Sequence, residues 1–209
     1  MKKYLLNIAT ILMVALVSVC MTSCGSDDDD DNGGSGSGSA SVAIDGKSFN
    51  FGYAYWNYVM DGNDPQYQIS FYDYDMEKYL KSGKMPETLT TFAVCIRKSG
   101  DENVLPTGTF KDFWVAISQD EVAQQSSDGH TIYGVSYYGD TNKSENAQVT
   151  VSKSGSKYTV KVSGLDIYTE DDNSLEKVAE NISFTYTGNI ASVAELMKKY
   201  GIPEDEYNR

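Results

Sequence analysis

The chain has 209 residues, with 17 Lys and Arg against 30 Asp and Glu and a formal net charge of -13. That acidity repels phosphate backbones and excludes nucleic acid as an expected partner, while the length suffices for one ordinary domain with its own core. Sixteen Tyr, seven Phe and two Trp bring aromatics to 12%, too many for a disordered chain and suited to β-strands.

The first element, residues 1–23, reads as a bacterial export signal. Lys2 and Lys3 supply a positive start and residues 5–19 an apolar run, broken by Asn7 and Thr10 and short for a membrane span. Small Ser23 lies directly before Cys24, and this junction resembles the lipobox at which bacterial lipoproteins are cleaved and lipidated. Cys20 is the competing position, but bulky Val19 precedes it. The resemblance implies that Cys24 is the mature N-terminus and carries the lipid.

Residues 25–40, GSDDDDDNGGSGSGSA, hold no apolar residue before Ala40, so 24–40 is expected to be a lipidated, acidic, Gly/Ser-rich tether. The aspartates lack the spaced oxygens and interspersed glycine of a calcium loop. Ser26, Asp27, Asp28, Asp29, Asp30 and Asp31 form an acidic run just after the cysteine. It is similar to the export signal of surface lipoproteins of Bacteroidetes-type bacteria. The resemblance implies a location, the outer membrane with the domain anchored by lipid and facing the exterior, and no activity.

From Ser41 the composition changes to alternating strands, predicting one domain over 41–209. Asp45-Gly46 between two alternating runs predicts a type I′ hairpin. Phe49, Phe51, Tyr53, Tyr55 and Val59 share one parity, and so do Tyr67, Ile69 and Phe71 beyond a turn at 61–65. A simple hairpin sets Val59 opposite Tyr67, Tyr55 opposite Phe71 and Trp56 opposite Ser70. Residues 75–83 predict a short helix with Asp75 as cap and Gly83 as stop. Thr88–Lys98 is apolar on both faces at its middle, as a covered central strand requires, and Cys95 within it reads as a small buried hydrophobe.

Further strands are expected over 104–118 and 130–139. The next hairpin sets Val149 and Val151 on one face with Tyr158, Val160 and Val162. Parity then shifts to Leu165 and Ile167, which predicts a bulge near Ser163-Gly164. Residues 180–190 add a last strand. Ser192 and Glu195 form a capping box that opens a helix over 192–200, with Val193, Leu196, Met197 and Tyr200 as its apolar stripe and Gly201 as its stop.

Nine or ten strands, two short helices and no βαβ crossover predict an all-β, mainly antiparallel fold: a single lipocalin-like barrel or a β-sandwich, with short connections favouring the barrel. The 41–190 region also resembles, loosely, the many β-rich domains carried by such lipoproteins. That likeness brings no ligand with it.

No catalytic constellation is apparent. His130 is the sole histidine and no nucleophile elbow exists. Asp73 and Asp75 sit at a spacing that would share a strand face, yet solvated acids are the simpler reading. The acidic clusters 61–64 and 170–173 match no full calcium pattern. No cofactor and no metal are expected.

Trp56, Tyr58, Tyr72, Tyr74 and Trp114 fall on the parity opposite to the expected core. They would form an outward aromatic patch able to stack on sugars, unless a helix, loop or second sheet covers them. The expected function is a surface-anchored, non-enzymatic binding lipoprotein. Its partner would be a glycan, a small apolar ligand or an envelope protein. The alternatives are a structural subunit of a surface assembly and an acid-driven glycoside hydrolase.

Overall fold

In the computed structural model, residues 36–61, 64–84, 86–121, 132–171 and 174–202 are described. The alternating segments become β1 (Ser37–Ile44), β2 (Lys47–Asp61), β3 (Asp64–Tyr72), β4 (Thr88–Arg97), β5 (Gly108–Phe110), β6 (Phe113–Glu121), β7 (Ile132–Asp140), β8 (Gln148–Ser154), β9 (Lys157–Asp171), β10 (Ser174–Gly188) and β11 (Ala191–Ser192). The helices are α1 (Met76–Ser82) and α2 (Val193–Lys199). Every pairing is antiparallel except that of β11 with β2.

The sheet runs β10-β1-β2-β3-β4-β6-β7-β9, and β10 pairs again with β9. Eight strands thus form a closed circuit, which is the barrel form of the predicted all-β fold and removes most of the free edge. β8 and β5 extend from β9 as a flap. Inward-facing side chains fill the circuit. Phe51, Phe71, Phe92, Phe184 and Tyr186 meet at centroid separations of 4.4–6.0 Å in its middle. An eight-stranded barrel is just wide enough to be filled in this way.

Local chemistry explains the joints. Asp45 and Gly46 take φ of 50° and 70°, the left-handed pair a tight hairpin requires. Val149 pairs with Val162 and Val151 with Val160, all buried, as expected. The predicted bulge lies at Gly164: Ser183 pairs with Ser163 and Ile182 with Leu165, so Gly164 is passed over at φ 71°. Asp75 caps α1 by accepting from Glu77 N at 2.9 Å, and Gly83 ends it at φ 66°. Ser192 caps α2 through Glu195 N. Beyond α2, Gly201 N donates to Lys198 O and Ile202 N to Met197 O, a Schellman ending with Ile202 packed in the same cluster as Met197.

Two expectations are corrected. The β2–β3 hairpin is offset by one residue: Asp61 pairs with Asp64, so two residues connect the strands, and Tyr58 faces Tyr67, Ala54 faces Phe71 and Trp56 faces Ile69. A one-residue offset exchanges the two faces of a strand. β2 also changes inward parity between Phe51 and Ala54, around Gly52, so Tyr53 and Tyr55 point outward while Ala54 and Trp56 point inward.

The second correction concerns the tether. β1 starts at Ser37, so the last part of the expected 24–40 tether is a strand and the domain starts before 41. A Cβ on Gly38 would lie 2.3 Å from Tyr186, and one on Gly188 would lie 2.4 Å from the Gly38 Cα. These glycines permit close approach of backbones rather than freedom of the chain.

Candidate functional site

The structure does not bring the five sequence-predicted aromatics together. Trp56 faces the interior, 5% exposed, with its ring 6.2 Å from Tyr67. Tyr58, half-buried, packs edge-on against Tyr67 at 5.0 Å. Tyr72 is outward-facing but buried beneath the helices, in a cluster with Tyr55, Met76, Tyr79, Leu89, Leu196 and Met197. Tyr74 is half-buried beside that cluster, and its hydroxyl donates to Lys84 O at 2.7 Å. Trp114 faces outward, 6% exposed, with Cys95 and Ala116. The open aromatic patch is therefore overturned by the offset of β2 against β3 and by the two helices that cover Tyr72.

A different constellation forms on the outward side of β3, β4, β6 and β7. β3 alternates Gln66, Gln68 and Ser70 with inward Tyr67, Ile69 and Phe71. Trp114 Nε1 donates to Gln66 Oε1 at 3.1 Å, and Gln68 Nε2 to Ser70 Oγ at 3.0 Å. Next to Trp114, Arg97 forks between Asp112 Oδ1 at 2.9 Å and Asp140 Oδ2 at 3.0 Å. Tyr138 OH donates to Asp140 Oδ2 at 2.9 Å, and Asn142 N donates to Asp140 Oδ1 at 2.8 Å.

Burial pushes the Asp140 carboxyl pKa up, but these donors outweigh it and hold the group below its ordinary value. Tyr138 is pushed up by burial and by the Asp140 carboxylate. Cys95 is free and fully buried, and burial pushes its thiol up, so it behaves as the small hydrophobe expected.

Sequence reading passed over Gln66, Gln68, Arg97 and Asp140. The signal was present: polar residues alternate with apolar ones in β3, a central strand next to the covered β4. Alternating amides ordinarily mark the solvated side of a strand, so they do not by themselves point to the buried polar network that Gln66 and Gln68 form here.

The carboxylates considered for hydrolysis are engaged structurally. Asp73 Oδ1 accepts from Thr90 N at 2.9 Å, and Asp75 Oδ1 accepts from Glu77 N and from Tyr55 OH at 3.1 Å. Glu77, 5% exposed at its side chain, pairs with Lys199 at 3.3 Å and so joins α1 to α2. Among the described residues, no three His, Cys, Asp or Glu side chains are placed to hold a metal ion. His130, the acidic run 26–31, Cys24, residues 62–63 of the cluster 61–64 and residues 172–173 of the cluster 170–173 lie outside the described residues. Comparison with protein-family models, with characterised proteins and with solved structures finds no match to this chain.

Proposed function

We propose that this is a lipoprotein of the outer membrane, anchored through Cys24 and addressed outward by Ser26–Asp31, whose barrel is a binding module rather than an enzyme. The observation that supports a binding surface is the outward constellation on β3, β4, β6 and β7. Half-exposed Arg97 and Tyr138 border buried Trp114, Gln66 and Asp140. The half-exposed Tyr138 ring beside the Arg97 guanidinium, both set by the buried carboxylate of Asp140, is equipment for holding a glycan or a polar protein surface. The interior offers less, because the Phe51–Phe71–Phe92–Phe184 cluster occupies its middle. A hydrolase reading has less support, since Asp73 and Asp75 both satisfy backbone amides.

Arg97→Ala and Tyr138→Ala are expected to lower binding on a glycan array, or to an envelope protein captured by crosslinking, by about tenfold each. Thermal melting of each variant serves as the control for folding. Unchanged binding by both folded variants would remove this surface from consideration.

A further inference from the structure

We propose that the end of the barrel from which the chain emerges at Gly36 is a lipid-contacting surface that lies against the membrane. The inference rests on the lipid anchor at Cys24 proposed above and adds an orientation to it. Pairing fixes what shares that end. Gly188 pairs with both Gly38 and Tyr158, so the start of β1, the close of β10 and the β8–β9 turn lie at one level. β2 runs past Gly36, whose carbonyl accepts from Ala54 N, to its tip at Asp61. Lys98 N donates to Pro65 O, and Tyr67 OH to Asp101 O, so the segment after β4 is held across the same end. The turn at Asp45-Gly46, the close of β6 with the start of β7, and the close of β9 with the start of β10 lie at the other end.

Three properties single out the first end. The exposed large apolar side chains among the described residues are Met60, at 59%, and Val104, at 56%. Both lie there: Met60 pairs with Pro65, and Val104 N turns back to Asp101 O. Isolated exposed hydrophobes are ordinary, but two at the tips of adjacent segments on one end make an apolar footing.

Charge is the second property. Segments 60–65, 97–112, 140–147 and 153–157 carry six Lys or Arg and seven Asp or Glu, whereas the rest of 36–209 carries nine and eighteen. The near-neutral end is thus the one that approaches an anionic headgroup layer with least repulsion.

Reach is the third. Cys24–Ser35 is twelve residues, with an r.m.s. span of roughly 17–21 Å from its composition and at most about 43 Å fully drawn out. β1, which leads from the exit at Gly36 to the far-end turn at Asp45-Gly46, is eight residues, about 27 Å of tilted strand. Resting the near end on lipid needs no extension of the tether, whereas resting the opposite, acidic end would use up its whole r.m.s. span.

The test uses the full lipidated chain in phosphatidylcholine vesicles brominated in their acyl chains. An environment-sensitive fluorophore is placed on Met60→Cys, Val104→Cys or, at the far end, Lys47→Cys, all exposed positions. Cys95 is buried and stays unlabelled. Bromine quenching about twofold or more stronger at 60 and 104 than at 47 is expected. A chain that floats with the vesicles but is quenched equally at all three sites overturns the lipid-contacting end and leaves the anchor standing. A chain that fails to float overturns both.

Discussion

Tyr186 sits in the core with its hydroxyl 2.8 Å from both Gly36 O and Asn189 O, so one hydrogen is shared between the first described residue and the end of β10. Removing it by Tyr186→Phe leaves a carbonyl short of a donor in a closely packed place. The expected loss is about 1–3 kcal/mol in a urea titration, with the slope unchanged. Asp140 makes a second prediction at this scale. Its folded pKa is depressed, so its contribution is complete above the unfolded carboxylate value and is lost as pH falls through the folded one. Acid titration of stability should therefore fall below about pH 4, and Asp140→Asn should flatten that limb. Neither role was legible beforehand. A tyrosine at an inward parity announces burial, but its hydroxyl partners come from residues 150 positions away and three positions away.

At the scale of elements, legibility followed how local the determinants were. Both helices, their caps and the Gly164 bulge were read correctly, because each is fixed by a few adjacent residues: Asp75 and Gly83, Ser192 and Gly201, the parity change from Val162 to Leu165. The β2–β3 offset was misread because a turn one residue shorter leaves every residue in place and reverses every face. α2 illustrates how a seven-residue helix persists. It is too short to stand alone, so its stability is that of Val193, Leu196 and Met197 on Tyr55, Tyr72 and Met76. Leu196→Ala should cost about 2–5 kcal/mol by chemical denaturation. If it costs no more than an exposed substitution, the helix is not an integral part of the fold.

Across the whole molecule, the all-β class and the preference for a barrel were legible from hairpin rhythm and short connections, while the strand pair that closes the circuit was not. β10 meets β1 across most of the chain's length, and that pairing uses Gly38 and Ser39, residues whose composition speaks of a linker. A chain starting at Asn32 and one starting at Ser41 should therefore differ, although the composition shift places the domain boundary at the latter. The shorter chain is expected to lose roughly 2–4 kcal/mol and to expose its β2 and β10 edges, readable as a lower melting midpoint and a tendency to associate. Equal midpoints would mean that β1 begins, energetically, after Ala40.

The placement of β1 also has a mechanical meaning. Its first residues are gripped on one side by Tyr53 and Ala54 of β2 and on the other by Gly188 and Thr187 of β10. Tension on the chain ahead of Gly36 runs along the strand axis, so these hydrogen bonds share the load side by side instead of parting one after another. A pull on this end is borne in shear by the seam that closes the barrel.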